Sequence, residues 1–341
     1  MKKVTTIGID LAKSVFQIHG ADAKGRPVFS RRLRRAQVLS FFANRQPCIV
    51  GMEACSGAHY WARELLALGH DVRLMPPHYV KPYVKRNKTD AADAEAIAEA
   101  VMRPTMRFVP VKSPDQQAVL ILHRTRDLLV RQRTQLVNAL RAHLAEFGHV
   151  IPQGIQNARK LMTLVAEAGG DALPGVAKDV LAALVEQLRE TMARIEALEK
   201  RLGLWHRSNE VSKRLATIPG IGPITATALI ATVGDPAHFK SGRQFAAWIG
   251  LTPRERSSGG KQNLGRITRR GDAYLRRLLV HGSRAVVRWR RRKPHDSDPW
   301  LGKLMERRHP NVATVAQANK TARIAWAVMI REDVYRPRRA A

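Results

Sequence analysis

Leucine spacing divides this chain before anything else does. Leu122, Leu129 and Leu136 recur every seven residues, and Leu140, Leu144 and Phe147 continue the run at shorter steps. A second run holds Leu181, Leu184, Leu188, Met192, Ile195, Leu198 and Leu202 at spacings of three and four. Either spacing lays the apolar side chains along one stripe of a helix. The breakers GHVIPQG and EAGGDALPG separate the two runs. Residues 113–208 are therefore expected to form a long antiparallel helical hairpin, either a coiled coil or an ordinary packed pair. It reads as a spacer or an oligomerisation arm rather than a site.

The residues before the arm follow another pattern. VTTIGIDLA and SVFQIHGAD are strand-like and closely linked, which predicts an antiparallel hairpin, and RPVFSRRL is a third strand. AQVLSFFAN is helical, PCIVGMEA is a short apolar strand, and GAHYWARELLALG is a helix ending at Gly69. HDVRLMPP is a last strand, stopped by Pro76 and Pro77. Residues 1–112 thus predict an α/β domain with a partly antiparallel sheet.

After the arm, residues 209–341 predict a mostly α-helical domain. LATIPGIGPITATALIATVG has a helix, a turn with Gly220 and Gly222, and a second helix from Pro223. That is a helix-hairpin-helix-like pattern whose turn can offer backbone N–H groups to a phosphate. A glycine-rich turn that only packs two helices fits the same letters. From Arg254 to Lys293 there are 14 Lys and Arg against Glu255 and Asp272, a surplus of 12 positive charges. Arg254, Arg256, Lys261, Arg266, Arg269 and Arg270 are expected phosphate contacts, because each cation set on a phosphate releases counterions.

The whole chain carries the same bias, with 59 Lys and Arg against 28 Asp and Glu, and a formal charge of +31. A polyanion is the expected partner, most simply nucleic acid. No stretch reaches ~18 uninterrupted apolar residues, so no membrane is expected. MKKVTTIGIDLAKS has no apolar core or cleavage site, so it does not read as a signal peptide. The two cysteines, Cys48 and Cys55, lack the Cys-x-x-Cys spacing of a zinc site and fit a reduced, cytoplasmic protein.

Against that charge, NKTDAADAEAIAEA concentrates acid. Asp90 and Asp93 are three apart and share a helix face, while Glu95 and Glu99 lie on another and read as solvated. Thr89 or Asn87 could cap the helix, which would make Asp90 an ordinary first-turn acid favoured by the helix dipole. Asp10 and Glu53 end two strands, where a side chain can leave the core for a cleft. Four converging carboxylates would repel one another unless a hard divalent cation, Mg²⁺ or Mn²⁺, offset the repulsion. Two such ions can activate a nucleophile and stabilise a leaving oxygen at a phosphodiester.

Three blocks carry a resemblance. IGIDLAKSVFQIHG, then GMEACSGAHYWARELLALGHDVRLMPPHYVKPYVKRNKTDAADAEAIAEA, then the segment from IPGIGPITATALIATVG to RRLLVHGSRAVVR occur in this order over nearly the whole chain. Together they resemble the DEDD transposases of bacterial insertion sequences, which act as bridge-RNA-guided recombinases. The resemblance implies a RuvC-like (ribonuclease H-like) N-terminal domain, a coiled-coil middle and a C-terminal transposase domain. It places the metal-binding tetrad on Asp10, Glu53, Asp90 and Asp93. It also implies a nucleophilic serine just before a glycine, best matched by Ser258 in RERSSGGKQ, with Ser257 adjacent. EACSG departs from the more usual Thr-Gly after the acid, but the glutamate stands. Implied partners are donor and target DNA, a guide (bridge) RNA, and further copies of the chain as a dimer or tetramer, with the two halves of a site drawn from different subunits. Read without the resemblance, Ser-Ser-Gly-Gly is a flexible turn like many others.

Three rivals remain. A RuvC-like metal-dependent nuclease would use water instead of serine. A non-catalytic scaffold would bind nucleic acid without needing the acids. TIGIDLA also resembles the first phosphate loop of actin-like kinases, but nothing downstream matches their second glycine-rich loop.

Overall fold

The computed structural model describes residues 3–85, 89–167, 173–292 and 299–337. Asn87 and Lys88 of the acidic stretch lie outside them. The chain divides into two compact units, 1–114 and 115–341. The helical arm and the segment from 209 onward fall in the same unit.

The first unit is built on five strands: β1 Thr6–Asp10, β2 Val15–Ala21, β3 Pro27–Arg34, β4 Ile49–Glu53 and β5 Asp71–Met75. Helix α1 is Val38–Ala43, α2 Ala58–Ala67, α3 Pro77–Val80 and α4 Asp90–Val101. The sheet order is β3-β2-β1-β4-β5. β1, β2 and β3 are antiparallel neighbours, while β4 runs parallel to both β1 and β5. The expected hairpin, third strand and mixed sheet are all present.

Alternation along each strand assigns the two faces of the sheet. Ile7 and Ile9, Val50 and Met52 face α1 and α2, in a core with Phe42, Trp61 and Leu65. Gly8 and Gly51 face α4. A Cβ on Gly8 would sit 2.3 Å from the Ala94 carbonyl oxygen, and one on Gly51 would sit 2.9 Å from Val101. The alanines of DAADAEAIAEA are thus explained: they let α4 lie almost directly on the β1 backbone.

The second unit has α5 Pro114–Ala145, α6 Ala158–Glu167, α7 Gly175–Ser208, α8 Glu210–Ala216, α9 Pro223–Val233 and α10 Gly242–Ile249. A small hairpin follows, β6 Pro253–Glu255 and β7 Leu264–Ile267, then α11 Ala273–Arg292, α12 Pro299–Arg307 and α13 Pro310–Arg331. α5 and α7 are antiparallel. Leu140 and Leu144 near the end of α5 share a core with Leu181 and Leu188 near the start of α7, and α6 joins them through Leu161 and Val165. At the opposite end Val119 and Leu202 pack with Ala231 of α9. An Arg126–Glu199 ion pair of 2.6 Å ties the two helices between those cores.

His123 of α5 is the buried polar link among α5, α9 and α11. Its Nδ1 lies 3.1 Å from the Tyr274 hydroxyl and its Nε2 lies 3.0 Å from Thr227 Oγ1. The Thr227 hydroxyl donates to the Pro223 carbonyl, so it accepts from Nε2–H, and Nδ1 accepts from tyrosine. A proton on Nδ1 would break that arrangement. Burial, helped by the Arg126 charge, pushes the imidazole down to about 4. The unfolded chain, with an ordinary histidine, binds a proton that the folded chain refuses between about pH 6.5 and 4. Stability contributed by neutral His123 is present above that window and falls as pH falls through it, by about 2 kcal/mol between pH 7 and 5. Urea unfolding at the two pH values measures the loss, and a His123→Asn variant should flatten this part of the dependence.

Candidate active site and nucleic-acid interface

Asp10 is the last residue of β1 and Glu53 the last of β4. The parallel register pairs Ile9 with Met52, so the two acids occupy the next rung at the carboxyl ends of adjacent strands. By alternation both lie on the α4 side, and both are half-buried. Their charges meet at one probe. Burial raises the Cys55 thiol, and the carboxylates of Glu53 and Asp10 each raise it further.

Asp90 and Asp93 lie in the first turn of α4. Thr89 supplies the cap, its hydroxyl accepting the Ala92 amide at 3.2 Å. Asp93 immediately precedes Ala94, the residue seated on Gly8, two positions before Asp10. All four acids therefore share one face of one domain. Among the described residues, however, no three His, Cys, Asp or Glu side chains come close enough together to hold one ion. The backbone brings the strand-end pair and the helix pair to the same region, but the four side chains do not close into a cluster. The donor set itself, four hard carboxylates, is of the kind that Mg²⁺ and Mn²⁺ take.

The other two acids of the stretch are not plain solvated surface. Glu95 accepts from Lys85 Nζ at 2.8 Å, and that bond holds its carboxyl below the usual range. Glu99 pairs with Arg103 one turn on. Each neutralises a cation of its own domain, which separates them from Asp90 and Asp93.

RERSSGGKQ folds as the tip of the β6–β7 hairpin. Gly259 and Gly260 have φ of 55° and 75°, and the Lys261 amide donates to the Ser258 carbonyl at 3.0 Å. Two consecutive positive φ angles are those of a tight type I′ turn, which favours glycine at both places. The serines differ. The Ser257 hydroxyl accepts the Asn263 amide at 3.1 Å, across the hairpin. The Ser258 hydroxyl is exposed and has no hydrogen-bond partner among the described residues. Behind the tip, Arg254, Arg256, Arg266 and Arg269 line an open groove of about 410 Å³. Lys261 stands at the turn, and Arg270 lies just beyond the groove.

Arg269 adopts a left-handed φ of 57°, uncommon for a residue with a side chain. The constraint is visible. Its amide donates to the Gly250 carbonyl, and a Cβ on Gly250 would lie 2.0 Å from the Arg270 carbonyl oxygen. Arg276 locks this contact by donating to the carbonyls of Ile249 and Arg270. The base of the arginine groove is a rigid backbone-on-backbone seat.

The glycine turn divides in the same way. Gly220, at φ 87°, packs backbone to backbone against α11, and a Cβ on Gly282 would lie 1.8 Å from the Gly220 carbonyl oxygen. Gly222 is exposed, and a Cβ there would meet nothing within 4 Å. Packing against α11 accounts for the first glycine, and the second stands in open space.

Sequence reasoning did not single out α11 residues by number, although its basic surplus included them. The helix has seven arginines and no acid. Arg284, Arg288, Arg291 and Arg292 are exposed at spacings of three and four, without a carboxylate partner among the described residues. The signal was available: LLVHGSRAVVRWRRR alternates apolar and basic residues at helical period.

The comparisons with known proteins meet these observations from outside. A family model described as "Transposase", of the DEDD IS110 type, matches residues 7–149, and one described as "Transposase IS116/IS110/IS902 family" matches residues 212–297. A "Probable family 20 transposase" of Pseudomonas aeruginosa is 51% identical, over 98% of this chain and 99% of its own length. The chain belongs to the IS110/IS116/IS902 family of transposases. The "Transposase for insertion sequence element IS1328" of Yersinia enterocolitica is 43% identical over 98% of this chain and 99% of its own. That for element IS1111A of Coxiella burnetii is 42% identical over 98% and 92%. The first model covers the mixed sheet and α4, which between them carry the four acids, and the second covers the glycine turn, the serine tip and α11. In this transposase no described helix is long and apolar enough to cross a membrane.

Proposed function

We propose that this transposase is an RNA-guided DNA recombinase that joins donor to target DNA through a serine-linked intermediate. The observation that carries the reading is the hairpin tip. There an exposed hydroxyl with no partner among the described residues, Ser258, stands beside a groove of four arginines, while its neighbour Ser257 is already bonded. The arginines and Lys261 hold the phosphate backbone and set its orientation. Ser258 Oγ bonds to the scissile phosphorus as the bond to the 3′ oxygen breaks, and the serine proton passes through solvent to the leaving 3′ oxygen. The strand is then phosphoserine-linked, with a free 3′-hydroxyl. Attack by a 3′-hydroxyl of the second DNA reverses the step and frees the serine. Bond energy is conserved, so no nucleotide triphosphate is consumed.

Asp10, Glu53, Asp90 and Asp93 would hold Mg²⁺ or Mn²⁺, whose charge at the phosphate oxygens is the chemistry a lone serine lacks. The serine and the acids of one working site come from different copies of the chain, in a dimer or tetramer that the α5–α7 arm helps to assemble. Gly222 and the exposed face of α11 add phosphate contacts outside the reacting centre.

The purified protein tests this directly. Incubated with Mg²⁺, donor and target DNA and its co-purified nucleic acid, it should yield a DNA–protein adduct that survives denaturation. Sequencing of the co-purified nucleic acid should return one defined RNA, matching the flank of the protein's own gene. Strand cutting with no adduct would replace this reading with a water-using nuclease. Tight binding without cutting would leave a scaffold.

A further inference from the structure

The far edge of the N-terminal sheet carries a second basic feature, outside both the acid face and the serine hairpin. β3 is an edge strand, and it bears Arg31, Arg32 and Arg34. Between β3 and α1 lies a notch of about 510 Å³, lined by Arg31 and Arg45 together with Phe41, Ser40 and Asn44. The Arg45 guanidinium lies 4.1 Å from the Phe41 ring centroid and 4.8 Å from that of Phe29. Arg31 reaches over the same Phe29 ring at 5.9 Å. Arg45 Nε is buried and has no hydrogen-bond partner among the described residues. Among the described residues, neither arginine pairs with a carboxylate. The polar neighbours are occupied, since Asn44 donates to the Ser40 carbonyl and the Ser40 hydroxyl donates to the Gln37 carbonyl.

Arginines on an edge strand also guard against pairing with another sheet, and Arg32 and Arg34 need no further reason. That purpose does not require a half-buried arginine set beside a second one. Burial pushes the Arg45 guanidinium down, and the charge of Arg31 adds to it. Stacking on two rings offsets part of the cost but leaves a donor unmatched and two like charges uncompensated. An oxyanion in the notch would compensate both charges.

We propose that Arg31 and Arg45 hold a backbone phosphate of a bound polynucleotide, in a site separate from the reacting centre. The inference rests on reading the chain as a nucleic-acid recombinase. The sheet register gives the path. Arg31 pairs with Ile18 and Ile18 with Ile9, so Arg31 lies on the α1–α2 side. Arg32 pairs with Gln17 and Gln17 with Asp10, so Arg32 lies on the acid side, two strand spacings or about 10 Å from Asp10. A strand anchored in the notch and turning over the edge meets Arg32 next, and then the acid face.

The test is the salt dependence of binding by the full chain, read by fluorescence anisotropy on a single-stranded RNA, a single-stranded DNA and a duplex DNA of about 20 units each. Arg31→Ala should reduce the slope of log affinity against log salt by about 0.7–0.9, and Arg31→Ala with Arg45→Gln by about twice that. Affinity near ~150 mM salt should fall roughly 3–10-fold for the single variant. An effect confined to RNA assigns the notch to the guide, and one confined to DNA assigns it to the substrate. Unchanged slopes on all three ligands in a folded Arg31→Ala protein overturn the proposal. Arg45 supports two aromatic rings, so if its variant does not fold, the exposed Arg31 decides alone. The readout needs no strand cutting. A missing adduct in the unaltered protein would sink the serine chemistry and leave this binding test intact.

Discussion

If Ser258 is the nucleophile proposed above, Ser258→Ala should remove the covalent DNA–protein adduct and lower recombination by about a thousand-fold or more, because no other group would take its place. Ser257→Ala keeps both. The contrast follows from the hairpin register. Ser257 Oγ is bonded to the Asn263 amide across the strands, whereas Ser258 stands at the turn with its hydroxyl in solvent. Loss of the exposed Ser257 bond costs about 0.5–1 kcal/mol at the hairpin tip, too little to unfold the unit. Ser258→Ala removes no hydrogen bond, so thermal stability and DNA affinity should match the unaltered protein. The decisive measurement is a denaturing gel of labelled DNA with each variant. An adduct that persists in Ser258→Ala and vanishes in Ser257→Ala moves the nucleophile by one residue, and one that persists in both ends the serine mechanism.

Asp10→Asn and Asp93→Asn each reduce strand cutting by a comparable factor, about a thousand-fold or more, while nucleic-acid binding stays within about three-fold. In the proposed reading the arginine groove, α11 and the β3 edge carry the binding, and none of them contains these acids. Within the same helix, Glu95→Gln and Glu99→Gln should keep cutting within a few-fold of normal, because those carboxylates serve Lys85 and Arg103 rather than a cation site. Glu95→Gln should instead lower Lys85 toward an ordinary lysine, since the bond to Glu95 is the largest of the effects that raise it. Cutting assays over a Mg²⁺ series check the set. Full activity in Asp10→Asn and Asp93→Asn would remove the metal role from this face. Loss of activity in Glu95→Gln equal to that in Asp93→Asn would mean that the ion pairs do not separate the four acids of α4.

Much of the first unit was legible because its signals are local. A strand reads as a short apolar run, and Asp10 and Glu53 stood out as the first acids where such runs stop. The helical arm was legible from its leucine period, and the helix start at Asp90 from Thr89. Other features have partners distant in sequence. The alanines of α4 look like mere helix propensity until Gly8 and Gly51 are found beneath them. The packing reason for Gly220 is invisible until Gly282 of α11, about sixty residues on, is found against its carbonyl. Arg45 is one cation among 59 until the sheet edge buries it beside Arg31.

The amino-acid sequence by itself determined the order of elements, the positive charge and the residue types able to cut a phosphodiester. Backbone sterics and hydrophobic periodicity act over a few neighbouring residues, and net charge needs no fold at all. Only the tertiary structure decided which chemical groups are already committed. It set Asp10 and Glu53 on adjacent rungs, paired Glu95 and Glu99 with cations, bonded Ser257 and left Ser258 in solvent. Those outcomes depend on strand register and on close approach between distant segments, which packing sets and local sequence does not.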